Sequence, residues 1–273
     1  MEWIFLLLVG LAAGTLGSLV GLGGGIIVVP ALIYLGSFIP GLDNLSPQVA
    51  VGTSLIVVIF TGLSSTLAYM KHKTVDYKSG LIFFIGSGPG SIIGAFINKS
   101  MNVQSFSLYF GLFMILVSII LMVRGKIKPL KLRSKYNYMR NYTNENGLET
   151  SYGFNPFVAL PISFVVGLIS GLFGVGGGSL MVPAMILLFM FPPHIAVATS
   201  MFMIFLSAVT SSVAHISLGN VHWLLTLVLV PGAWFGGAFG AKINTRLKGH
   251  TVITLLRVIL IIIGLRLIYQ GLT

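Results

Sequence analysis

Gly21-Leu22-Gly23-Gly24-Gly25-Ile26-Ile27-Val28-Val29-Pro30-Ala31 returns later in the chain as Gly174-Val175-Gly176-Gly177-Gly178-Ser179-Leu180-Met181-Val182-Pro183-Ala184. Both copies lie inside long apolar segments. A glycine in a helix costs about 1 kcal/mol relative to alanine, so three in a row mark a break. Backbone released inside lipid persists only where it is buried in protein or lines a wet cavity. Matched Gly-interrupted segments in two halves of a chain point to a binding site where the halves meet.

Of the 273 residues, 56% are apolar and 8% charged, where a soluble domain has about a quarter charged. Most of the chain therefore belongs in lipid. Met1-Glu2-Trp3 lacks a basic n-region and no cleavage site follows at a fitting distance, so the first apolar stretch is expected to stay as a membrane segment. The chain has no cysteine, which excludes disulfides, thiolate ligands and redox thiols. The formal charge of +11 sits in loops between apolar segments. That is the pattern of a membrane protein and not of a nucleic-acid binder.

Apolar segments run near 3–38, 48–70, 79–97, 104–123, 155–191, 194–216, 221–241 and 251–269. A spanning helix needs about 20 residues. Segments 3–38 and 155–191 are too long for one span, and each reads as a helix followed by a second or re-entrant piece. Pro47, Ala50, Val51, Thr53 and Ser54 return as Pro193, Ala196, Val197, Thr199 and Ser200, and Gly86, Gly90, Gly94 and Asn98 as Gly232, Gly236, Gly240 and Asn244, all 146 positions later. The glycine breaks are offset by 153, so the first half holds seven extra residues, assigned to the loop around Gly36–Ser46. Residues 1–123 form a first repeat, 124–154 a basic, polar and mobile cytoplasmic linker, and 155–273 a second repeat. With five membrane elements per half the repeats are inverted, and thirteen of the sixteen Lys and Arg then share one side, as the positive-inside rule asks. Both termini fall outside. The fold class is an all-α polytopic membrane protein built from two inverted repeats of about five elements, with Gly-broken helices.

Gly23, Gly24, Gly25, Gly176, Gly177 and Gly178 are candidate substrate-binding residues, because N–H groups at the start of a half-helix favour an anion. Thr53, Ser54, Thr199 and Ser200 could donate hydroxyl hydrogens to a small oxyanion or bond back to their own helices. Arg257, two turns into the last segment, either snorkels to the interface or faces the pathway. The ridges Gly86-x3-Gly90-x3-Gly94 and Gly232-x3-Gly236-x3-Gly240 read as helix-packing surfaces. His194, His215 and His222 lie near segment ends without metal spacing, so no metal and no cofactor are expected. Glu2, Asp43, Asp76, Glu145 and Glu149 are the only acids and all fall in loops or termini. A cation pathway or an intramembrane acid–base enzyme would need carboxylates within the membrane. This chain is therefore expected to be no enzyme and to handle an anion, with substantial flux left when its acids are singly replaced.

The doubled Gly-rich motif with its trailing proline, the paired Ala-Val-x-Thr-Ser and the basic linker resemble the TauE/SafE family of membrane permeases, the sulfite exporter family, over nearly the whole chain. The resemblance implies a multi-pass inner-membrane protein that moves small sulfur-containing anions such as sulfite or sulfoacetate. Its partners are a small anionic substrate and the bilayer, with no nucleic acid, and a homo-oligomer is left open. An alternating-access secondary transporter is the reading carried forward. An anion channel of the same architecture and a non-transporting scaffold are its rivals.

Overall fold

The computed structural model describes residues 2–36, 45–123, 138–143, 149–244 and 250–272. Ten helices and one two-stranded sheet lie among them: α1 Glu2–Val20, α2 Gly25–Gly36, α3 Pro47–Lys71, α4 Tyr77–Lys99, α5 Val103–Val123, β1 Tyr138–Thr143, β2 Glu149–Phe154, α6 Pro156–Phe173, α7 Gly178–Leu187, α8 Pro193–Ser217, α9 Trp223–Asn244 and α10 His250–Leu272. Seven helices (α1, α3, α4, α5, α6, α8 and α9) are long and apolar enough to cross a membrane. The protein is an all-α polytopic membrane protein. The half-helices α2 and α7 have 12 and 10 residues, about 15–18 Å at 1.5 Å per residue, roughly half of a 30 Å hydrocarbon core. Two of the seven extra residues of the first half therefore lengthen α2. The others fall between Gly36 and Pro47, where 37–44 lie outside the described residues.

Local sequence sets the boundaries. Ser46 caps α3 by accepting from Val49 N, and Pro47 supplies the first helical position. Asn155-Pro156 repeats this arrangement at α6. Such caps satisfy N–H groups that have no intrahelical partner. Packing then decides what is central. In α3 and α8, 78% and 72% of the spanning window is buried, against 39–50% in the other five, so these two form the axis of the bundle.

The halves are interlocked. α1 packs along α9, and α6 along α4. A Cβ on Gly232, Gly236 or Gly240 would run into the carbonyls of Leu7, Leu11 and Thr15. One on Gly86 would lie 2.6 Å from Leu160 O, and those on Gly90 and Gly94 would run into Phe164 O and Leu168 O. The two glycine ridges are packing surfaces, as the spacing predicts, but each grips the first helix of the opposite half. Asn98 Nδ2 donates to Leu172 O at 2.8 Å and Asn244 Nδ2 to Leu19 O at 2.7 Å, closing the ends of these pairs alike. α5 and α10 also pack together. Gly271 faces Leu108, Gly264 faces Gly111, and Ser118 Oγ donates to Arg257 O at 3.3 Å. The register descends on one helix as it rises on the other, so the two run antiparallel.

The linker corrects one expectation. Read as polar and mobile, it carries an antiparallel hairpin pairing Tyr138 with Phe154 and Thr143 with Glu149. Tyr152 and Phe154 are buried. Phe154 packs on Phe83 of α4, ring centroids 4.7 Å apart, and Tyr152 on Phe191 at 4.3 Å. Gly153 N donates to Phe189 O at 3.3 Å. Aromatic burial fixes the strands onto the bundle and holds two of the few apolar residues of an otherwise polar stretch out of water.

Candidate functional site

The glycine breaks are dictated by backbone geometry. Gly21, Gly23 and Gly24 have φ of +81°, +86° and +88°, and Gly174, Gly176 and Gly177 have +71°, +83° and +75°. Three left-handed residues per break account for three of the four glycines in each motif. The fourth, Gly25 or Gly178, is held by proximity: a Cβ there would run into Gly174 O or Gly21 O of the opposite break. The two breaks thus touch each other directly. Cβ atoms on Gly23 and Gly176 would both meet Val58 and Ile204 at 2.9–3.3 Å. Val58 and Ile204 are each the twelfth residue of a 25-residue helix, so the breaks cross at the midpoint of α3 and α8.

The Thr-Ser pairs brace this crossing. Ser54 Oγ donates to Gly174 O at 3.0 Å as well as to Val51 O at 2.7 Å. Ser200 Oγ mirrors it, with Gly21 O at 3.2 Å and Val197 O at 2.8 Å. Each serine thereby satisfies a carbonyl of the other half's break. The neighbouring threonines face loops: Thr53 Oγ1 accepts from His222 N, and Thr199 Oγ1 from Asp76 N, both at 3.0 Å. All four side chains are fully buried. α2 and α7 start at the crossing, and the first N–H groups of any helix lack intrahelical partners, so both half-helices direct positive dipole ends there.

Of the eleven residues expected at the site, Gly23, Gly24, Gly25, Gly176, Gly177 and Gly178 form the two breaks, Ser54 and Ser200 bond them, and the hydroxyls of Thr53 and Thr199 accept instead from His222 N and Asp76 N. Arg257 is the eleventh. It is half-buried on α10 opposite Ser118 of α5. His215 is buried, with Nε2 donating to Gly171 O at 3.0 Å and Nδ1 facing Asn220 Nδ2 at 3.5 Å. Tyr69, 146 positions earlier, donates its hydroxyl to Ser18 O at 3.0 Å. Ser18 and Gly171 stand 153 apart, so this is one repeated tie in two chemistries. The offset was the signal that could have revealed it.

At one end of the bundle Asp76 caps α4. Its carboxylate accepts from Ser79 Oγ at 2.6 Å, Tyr152 OH at 3.0 Å and Arg140 Nη2 at 2.9 Å. Burial raises the Asp76 pKa, but the Arg140 and Ser79 bonds outweigh it and hold the carboxyl below its ordinary value. Burial, the Asp76 charge and the bond to Asp76 push the Tyr152 phenol up. Among the described residues no three His, Asp or Glu side chains come together in a metal-binding group.

A polytopic bundle with two crossed, Gly-broken half-helices suits a membrane transporter, and its relatives in sequence are named as such. Residues 6–267 match the model of the sulfite exporter TauE/SafE family, and the chain belongs to that family. It is 56% identical to "Probable membrane transporter protein YunE" of Bacillus subtilis over 271 residues, covering 99% of both chains. It is 27% identical to a "Probable membrane transporter protein" of Xylella fastidiosa over 97% of this chain and 92% of that one. A similarly named protein of Methanocaldococcus jannaschii is 27% identical over 95% and 93%. No solved structure matches the chain.

Proposed function

We propose that this membrane transporter is a secondary exporter of small sulfur-containing anions, such as sulfite, sulfoacetate or related organosulfonates. It would work by alternating access around the crossed breaks, in a bacterial inner membrane. The crossing of the breaks at the midpoint of α3 and α8 carries the reading. Two dipole ends aimed at one point in a low-dielectric medium suit an anion and need no carboxylate. The antiparallel register of α5 and α10, which hold matching places in the two halves, supports inverted repeats. The Arg140–Asp76 ion pair joins the linker to the loop of Lys71, Lys73 and Lys78. The His194–Asn244 contact, Nδ1 to Oδ1 at 3.3 Å, brings the Lys242 end of α9 to the start of α8. Both support one basic, cytoplasmic face. Lys99 falls at the other end, where Gln48 donates to Asn98 O and Met101 O.

The test is uptake of radiolabelled sulfite into proteoliposomes, with saturation and acceleration by internal sulfite expected. Gly24→Leu and Gly177→Leu should abolish it while the protein still inserts, since both positions need φ near +80°. Flux that never saturates would favour a channel, and full flux in either variant would remove the breaks from the pathway. Single cysteines at Lys73 and Lys242 should label from the cytoplasmic side and one at Lys99 from outside. Opposite sides for Lys73 and Lys242 would indicate parallel halves.

A further inference from the structure

The two breaks share a backbone but differ in what stands behind them. At the first, α1 lies directly against the break: a Cβ on Gly17 would run into Gly24 N, and one on Gly24 would lie 2.7 Å from Ala13 O. At the second, the position matching Gly17 is Ser170, and the position matching Ile26 is Ser179. A Cβ on Gly177 meets side chains instead of backbone first, Val166 at 3.1 Å and Ser170 at 3.5 Å. The second break therefore stands one side chain further from its supporting helix. Gly177 is the N-cap of α7, and it makes no side-chain cap bond.

Ser170 and Ser179 are 0% and 1% exposed, and neither hydroxyl has a hydrogen-bond partner. Serine in an apolar helix ordinarily bonds a carbonyl of its own preceding turn. Ser163 in the same helix does so with Leu160 O at 3.0 Å, as do Ser54 and Ser200 around the crossing. Ser170 borders the α7 N-cap and Ser179 lies in the first turn of α7. Two buried hydroxyls beside the N-terminus of one half-helix make up a set of unused donors.

We propose that Ser170, Ser179 and the first N–H groups of α7 form an oxyanion subsite that the second break has and the first lacks. It would take the oxygens of a small sulfite- or sulfonate-type anion. The inference rests on the crossing being the substrate site and adds that it is chemically one-sided. Oxygen atoms are held at α7, while the equivalent start of α2 offers the apolar Ile26, itself fully buried.

The experiment compares wild type, Ser170→Ala, Ser179→Ala and the control Ser163→Ala. Thermal unfolding is followed in sulfite, in methanesulfonate and in chloride of equal ionic strength, and sulfite uptake is measured in proteoliposomes. Both subsite variants should unfold in chloride no earlier than wild type, because an unpartnered hydroxyl holds nothing together. They should lose the stabilisation by sulfite and raise the apparent KM at least tenfold, while Ser163→Ala keeps both. Subsite variants that are stabilised and transport like wild type would overturn the subsite and leave the transporter standing. So would a subsite variant that unfolds early in chloride or fails to fold, since the hydroxyl is then structural. A wild type that neither gains stability from the two oxyanions nor transports sulfite would remove the anion reading itself.

Discussion

Asp76 and His222 are the same position of the two repeats, 146 residues apart, and each opens the loop-to-helix junction of α4 or α9. Their backbones do the same thing: both N–H groups donate at 3.0 Å to a threonine of the other half. Their side chains have diverged. His222 Nδ1 accepts locally, from Leu225 N at 3.4 Å. Asp76 is the centre of a polar cluster that fastens the linker hairpin to the bundle. Repetition conserved the bond the fold needs and left the side chain free to take on a second task at one end only.

The largest expected effect that would break this comparison is on stability. Asp76→Ala removes the α4 cap and leaves Arg140 and Tyr152 without their acceptor, at a cost of about 2–4 kcal/mol, whereas His222→Ala should cost about 1 kcal/mol or less. Equal losses, measured by denaturant unfolding in detergent, would mean the hairpin is not fastened through Asp76. Next come Thr53→Val and Thr199→Val. Each strands a backbone N–H, part-buried at His222 and buried at Asp76, and should cost about 1–3 kcal/mol. Because the two bonds have the same type and length, the two losses should be of similar size. A smaller effect separates the ends by pH. The folded Asp76 pKa is depressed, so its contribution is fully present above the unfolded value of about 3.9 and is lost as pH falls through the folded one. Unfolding midpoints of wild type and Asp76→Asn should therefore differ at pH 6 and converge in strong acid. Sulfite flux per folded Asp76→Asn molecule should stay near that of wild type, because Asp76 lies at the bundle end and not at the crossing.

Helices and breaks were legible because their signals are local. Hydropathy marks α3 and α8, and consecutive glycines mark the breaks. The repeat offset shows that the two halves match but not how they are joined. That α1 lies on α9 and α6 on α4 follows from ridge-to-backbone fits between segments far apart in sequence. The roles of Ser54 and Ser200 were half legible: bonding to their own helices was foreseen, the second bond across the halves was not. The hairpin escaped because its strands are polar and short, and its anchor joins Asp76 to Arg140 over 64 positions. For Arg257, depth in a helix was legible but not its neighbour, Ser118 of α5, 139 positions earlier.

The interlocking of α1 with α9 bears on how the protein is made. α1 leaves the ribosome well before α9, and Asn244, which closes the α1–α9 contact on Leu19, is translated 225 residues after it. Until then α1 lies in lipid without the glycine ridge that receives it, and α6 finds its ridge on α4 already waiting. The first half cannot mature as a unit ahead of the second. A chain stalled or truncated before α9 would leave α1 without its main packing partner, and α5 without α10, a ready target for membrane quality control.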